Sequence, residues 1–287
     1  MYEEVLNKER EEFNVSEAQI EKALCEIRNV YRIIPCKKYL PGIDYNRSSY
    51  RCAYIYYFGY YHTAMVEYLL LKFKNEKESK FNDMMMYKNF NMNICSLGGG
   101  PGFDLIGLLK ARSYFVRMCM KKLKCTVIDL CNGWEISLRH VRQSFLSGVG
   151  STYNSFQVFD FDLVEANLCK PLESNVKQVI AEADVVNMVK FVSAVPCDGK
   201  RNMEYLHRIF ALMKKNAYVF YVDNINGEFY KMVAKVAEKY SLKLVWNSEH
   251  RKLEVQRPIF IQNNFKSKTM KGTSVVAAVW QKIDSPL

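Results

Sequence analysis

Four glycines fall within five positions at Gly98-Gly99-Gly100-Pro101-Gly102, directly after the apolar run Met92-Asn-Ile-Cys-Ser-Leu97. That juxtaposition leaves few folds open. A short apolar run bounded by glycine reads as a buried strand, and glycines ahead of a helical pattern read as a sharp strand-to-helix turn. Further on, a second apolar run, Cys125-Thr-Val-Ile-Asp129, ends in a carboxylate. Strand, glycine turn, helix and second strand together open a parallel α/β sheet.

A tight turn that needs positive φ would account for a glycine cluster by itself. Three features favour a ligand cradle. The spacing Gly98-x-Gly100-x-Gly102 is closer than one turn requires, Pro101 stiffens the loop, and Asp129 stands at the strand tip. Open α/β sheets bind their ligands at such tips. A carboxylate there accepts from ribose hydroxyls, so the ligand class is one that carries a nucleoside. The dinucleotide fingerprint would need glycine at Phe103, and no lysine follows the glycines as a phosphate loop demands.

The pattern resembles motif I of the class I S-adenosylmethionine-dependent methyltransferases, an apolar strand followed by G-x-G-x-G. The resemblance implies S-adenosylmethionine as cofactor, held by Gly98, Gly99, Gly100, Gly102, Asp129 and Leu130. One departure stands out. The acidic residue expected two positions before the first glycine is Ser96, and Asp104, just after the loop, is the candidate to take over its role. Phe156–Leu163 resembles the third strand, whose terminal acid contacts adenine. Asp160 and Asp162 are both candidates, Asp162 preferred because Leu163 after it would cover the ring. Ala183–Val189 resembles the fourth strand and motif IV, which places Asn187 and Lys190 as candidate catalytic residues, Asn187 also as a cofactor contact, with Ser193 beyond. Ala217–Asp223 and Thr273–Trp280 read as further strands. The implied fold is α/β: a Rossmann-like, mostly parallel sheet with helices on both faces, one late antiparallel strand and an N-terminal helical extension. Residues 1–75 form the helical extension or lid, 76–91 a charged linker, and 92–287 the S-adenosylmethionine-binding domain. Helices are expected over 102–122, 132–147, 200–214 and 227–240.

Within the extension, apolar positions of residues 3–30 recur at helical spacing, with Ser16 and Gln19 as a reciprocal capping pair. Residues 31–50 read as a loop. Tyr50–Leu71 reads as one or two aromatic-rich helices. Its Tyr54, Tyr56, Tyr57, Tyr60, Tyr61 and His62 either pack the extension on the core or, for Tyr57, Tyr61 and His62, line a substrate pocket, with His62 available as a base.

The charged N-terminus carries no secretory signal, and no apolar stretch is long enough for a membrane span. Nine cysteines without a C-x-x-C pair point to reduced thiols rather than a structural metal. These features suggest an intracellular protein, cytoplasmic or nuclear. The net charge of +11 is concentrated in residues 110–124 and 231–271, the second interleaved with Tyr240, Trp246, Phe260 and Phe265. Basic charge among aromatic rings suits RNA. Three readings result: a methyltransferase acting on RNA, the preferred one; a methyltransferase of a small molecule or protein; and a non-catalytic S-adenosylmethionine-binding sensor or scaffold.

Overall fold

Strands buried on both faces send alternate side chains into two different cores, and these strands do so. In the computed structural model, which describes residues 1–33, 43–85, 91–113, 122–148, 158–195, 203–226, 228–255, 269–270 and 272–284, Tyr218, Phe220 and Val222 enter one apolar cluster while Val219 and Tyr221 enter the other. Val275, Ala277 and Val279 alternate with Val276, Ala278 and Trp280 in the same way.

The chain begins with helices α1 (Tyr2–Phe13), α2 (Glu17–Ile33), α3 (Ser48–Glu76) and α4 (Glu78–Met85). Alternation follows: β1 (Asn91–Leu97), α5 (Phe103–Ser113), β2 (Lys122–Asp129), α6 (Trp134–Gly148), β3 (Val158–Glu165), α7 (Ser174–Glu182), β4 (Val185–Val189), α8 (Glu204–Leu212), β5 (Tyr218–Asn224), α9 (Phe229–Lys239), β6 (Leu242–Glu254) and β7 (Gly272–Lys282). The seven strands lie in the order β3-β2-β1-β4-β5-β7-β6. β1 to β5 are parallel, and β7 runs antiparallel to both β5 and β6. The mostly parallel sheet with a late antiparallel strand is the one expected. Strand order reverses at β1, whose neighbours are β2 and β4. Such a switch point opens a crevice at the strands' carboxyl ends.

The capping pair forms as expected. The Ser16 amide donates to Gln19 Oε1 at 2.8 Å, and the Gln19 amide donates to Ser16 Oγ at 3.3 Å. α3 is one uninterrupted helix of 29 residues, buried on most of its circumference. It meets α5 closely. A Cβ on Gly107 would lie 2.5 Å from the Thr63 carbonyl oxygen, and the Thr63 hydroxyl donates to the Phe103 carbonyl at 2.9 Å. Glu9 of α1 and Arg51 of α3 form a buried ion pair at 2.5 Å, with Ser137 and His140 of α6 on the second carboxylate oxygen. The N-terminal helices therefore share a core with the sheet's α5–α6 face.

Several elements differ from expectation. The stretch read as a linker holds α4, whose Phe81, Met84 and Met85 are buried, because those three apolar residues share one helix face. α7 and the edge strand β6 were not foreseen. α5 is described to Ser113, and residues 114–121 of the expected helix lie outside the described residues. Among the described residues no helix is long and apolar enough to cross a membrane, and no three His, Cys, Asp or Glu converge as metal ligands.

Candidate functional site

β1 ends at the switch point, and its last residue hands over to the glycine loop. Gly98, Gly100 and Gly102 adopt φ of 62°, 52° and 81°, a region that side chains disfavour. At Gly98 a Cβ would also sit 2.8 Å from the Phe191 ring, so position and conformation both demand glycine. The loop is fastened on both sides. The Gly98 amide donates to the Ile128 carbonyl at 2.7 Å, and Asp129 Oδ2 accepts from the Gly100 amide at 3.0 Å. Asp129 Oδ1 accepts from the Cys131 amide at 3.2 Å, so its remaining lone pairs are what a ligand would meet. Burial raises the Asp129 pKa, offset by those amide donors.

Beneath the loop lies a buried polar cluster. The Ser96 hydroxyl and the Asn187 side-chain amide both donate to Asp104 Oδ2. Ser96, Asp104 and Asn187 come from β1, α5 and β4, so the carboxylate of the cluster is carried by the first turn of the helix that follows the loop. Burial pushes the Asp104 pKa up to about 6, against the opposing effect of the Ser96 hydrogen bond.

Above the loop is a cavity of about 260 Å³, near the lower end of small-molecule sites. Gly98, Gly100, Asp129 and Leu130 line it from the sheet, and Ala166 to Cys169 line it from the turn after β3. The facing wall is aromatic: Tyr31 of α2, Tyr45, Tyr54 of α3 and Trp134 at the start of α6. The Tyr45 and Trp134 ring centroids are 4.6 Å apart, and Tyr54 to Trp134 is 5.2 Å. Arg51 holds this wall. Its Nη1 donates to the carbonyls of Tyr45 and Asn46 at 3.1 and 2.8 Å, and Asn46 Oδ1 accepts from the Gly133 amide at 3.0 Å. The buried Glu9–Arg51 pair thus reaches the cavity through one short segment.

A second polar group sits at the tips of β4 and β5. Lys190 has φ of 56°, and its Nζ donates to Asn224 Oδ1 at 2.6 Å. Asp223, fully buried, accepts from the amides of Ser193 at 2.9 Å and Asn224 at 2.7 Å. Burial lowers the Lys190 pKa to about 8, with Asp223 opposing, and lowers His62 to about 3, with the Lys190 charge adding to the effect. His62 is therefore a neutral imidazole, with Nδ1 3.3 Å from the Tyr54 hydroxyl.

The structure brings Gly98, Gly99, Gly100, Gly102, Asp104, Asp129, Leu130 and Asn187 together around the loop. Asp160, Asp162 and Leu163 do not join them. β3 runs on to Glu165, which pairs with Asp129, so Asp160 and Asp162 are mid-strand residues opposite Lys124 and Thr126, and the expectation that Asp162 ends the strand is corrected. The turn from Ala166 to Cys169 takes that place in the cavity wall. Tyr57 and Tyr61 are not among the lining residues. Tyr61 donates to the Leu253 carbonyl at 2.9 Å, and the Arg28 guanidinium lies over the Tyr57 ring. Sequence reasoning missed Tyr31, Tyr45 and Trp134, although a tryptophan so soon after the strand-tip acid was a usable signal.

No protein-family model matches the chain, and no curated protein matches it. Solved structures it is similar to include an S-adenosylmethionine-dependent methyltransferase from Methanosarcina mazei, at 14% identity over 69% of this chain and 95% of that one, TM-score 0.42. The N-methyltransferase NodS from Bradyrhizobium japonicum is 8% identical over 74% and 98% of the two chains, TM-score 0.40. TrmK from M. capricolum, in complex with S-adenosyl-homocysteine, is 11% identical over 71% and 68%, TM-score 0.39.

Proposed function

We propose that the chain is an S-adenosylmethionine-dependent methyltransferase whose acceptor is a small molecule or a protein side chain. The observation that carries this is the loop of three positive-φ glycines, latched to a strand-tip carboxylate and opening on an aromatic-walled cavity. These residues fit the cofactor. The loop lets a ligand approach the backbone, Asp129 keeps lone pairs for ribose hydroxyls, and the turn at Ala166–Cys169 gives adenine a partly apolar surface. When bound, S-adenosylmethionine supplies a methyl group on a sulfonium centre. The chain's own residues then orient and exclude water: Tyr31, Tyr45, Tyr54 and Trp134 close one side, and Lys190, Ser193 and Asn224 offer polar atoms at the tips of β4 and β5.

Part of the charge and aromatic pattern behind the RNA reading is put to other uses by the fold. Lys122 and Lys124 begin β2, at the opposite end of that strand from Asp129. Arg112 is buried, donating to the Met85 carbonyl. Trp246 is buried with its indole N–H on Glu76, and Tyr240 meets His207 and Lys282. Phe260, Phe265 and residues 114–121 lie outside the described residues. His62, held near pKa 3, is a poor general base, which favours an acceptor that reacts through its own lone pair or is deprotonated by another group.

The test is transfer of a labelled methyl group from S-adenosylmethionine to metabolite, protein and RNA fractions presented separately. Label in the metabolite or protein fraction is expected. Label confined to RNA would overturn the acceptor assignment, and binding without transfer to any fraction would return the sensor reading.

A further inference from the structure

Asp129 is the one charged side chain among the described residues that line the cavity. Its carboxylate is already engaged by the Gly100 and Cys131 amides. Beyond the glycine loop, β2 with its tip and the turn after β3, the lining is apolar or aromatic. Val30 of α2, Ile43, and Phe191, Ala194 and Val195 of the segment after β4 supply the apolar part. Phe191 is buried, whereas Ile43 and Val195 are half-buried. The side-chain polar atoms of this part are phenol hydroxyls. Those of Tyr31 and Tyr45 share a hydrogen bond at 3.0 Å, and that of Tyr54 meets the neutral His62 at 3.3 Å. Burial raises the pKa of all three phenols and the Asp129 charge adds to the effect, so they stay protonated. Lys190 and Asp223, at the tips of β4 and β5, are not among the lining residues.

We infer that the methyl acceptor is an uncharged small molecule with an apolar body, seated against Val30, Ile43 and Val195 with its polar atoms toward Tyr31, Tyr45 and Tyr54. An ion brought to this part of the cavity would give up water without gaining a counter-charge, whereas an apolar body gains by burial. A phenol hydroxyl both donates and accepts, so the wall suits a hydroxyl or a neutral amine. It lacks the cation that a phosphate or carboxylate would call for. The inference rests on the cofactor reading given above, which gives the glycine loop, Asp129 and the Ala166–Cys169 turn to S-adenosylmethionine and leaves this part to the acceptor.

The experiment is a titration followed by ligand-observed nuclear magnetic resonance, on protein saturated with S-adenosylhomocysteine. The probes are benzyl alcohol, benzoate and benzylammonium, which share one ring and differ in charge. Benzyl alcohol is expected to bind at least about tenfold more tightly than either ion. In Val195→Lys, a cation at a half-buried position, benzoate is expected to gain at least about threefold on benzyl alcohol. The wild-type comparison needs no variant, so a misfolded Val195→Lys does not leave the question open. An ion binding as tightly as the alcohol overturns the inference, and so does absence of probe binding to the saturated protein. A benzoate-to-alcohol ratio unchanged in folded Val195→Lys puts the probe elsewhere and overturns it too. All three outcomes spare the cofactor reading. If S-adenosylhomocysteine does not bind the wild type, that reading falls and the inference falls with it.

Discussion

At the scale of single residues, Asp104 makes the stability of the folded protein depend on pH. Its pKa is raised in the folded protein to about 6, whereas an unfolded aspartate titrates near its ordinary value of about 3.9. The folded state therefore binds more protons between those values, and the ligand-free protein loses stability as the pH rises through that window, by up to about 3 kcal/mol. Asp104→Asn keeps an acceptor for Ser96 and removes the ionisation cost. Its melting temperature is expected to exceed that of the wild type at pH 7.5 and to match it at pH 4. A lower melting temperature at pH 7.5 would mean that the carboxylate stabilises the empty site. That the glycines, Asp129 and Asn187 meet around one loop was legible in the sequence because spacing and strand ends are local signals. Asp162 was misplaced because nothing local shows that β3 continues to Glu165. Tyr45 and Trp134 gain their meaning only when α3 and α6 meet, a contact that no sequence window contains.

At the scale of elements, the junction of α3 with α5 and the buried pair between α1 and α3 carry the most. Gly107→Ala improves helix propensity by roughly 1 kcal/mol. It also drives a methyl into the Thr63 carbonyl. Overpacking of that kind costs about 1–3 kcal/mol, so a net loss of stability is expected. Urea denaturation reads it, and an unchanged or higher midpoint would show that the helices separate freely. Glu9→Ala leaves the Arg51 guanidinium buried without its partner, an expected cost of about 3–5 kcal/mol. Adding Arg51→Met should recover part of that loss, and the double variant falling further would contradict a charge explanation. The alternation of β1 to β5 with helices was legible from apolar runs and glycine. α7 was not, because it is short and fully buries no residues but Val176 and Ile180, with Val179 half-buried beside them. β6 was masked by Lys243, Arg251 and Lys252, exposed residues of the strand. Their placement discourages edge pairing and reads in the sequence as a basic patch.

At the scale of the molecule, the extension and the sheet share one apolar core, since Ile20, Leu24 and Leu69 lie in a cluster with Leu105 and Val127. Thermal unfolding followed by tryptophan fluorescence and by far-ultraviolet circular dichroism is expected to give coincident transitions. An earlier fluorescence transition would separate the extension from the sheet. The same architecture makes the cavity a joint product, floored by the glycine loop and Asp129 and walled by Tyr31, Tyr45 and Tyr54. The claim that this cavity binds S-adenosylmethionine is tested most directly by calorimetric titration of S-adenosylhomocysteine into the wild type and Asp129→Ala, with circular dichroism of both. The account predicts one equivalent bound by the wild type, affinity at least about tenfold weaker in the variant, and superimposable spectra. Absence of binding to the wild type, or unchanged affinity in Asp129→Ala, would contradict it.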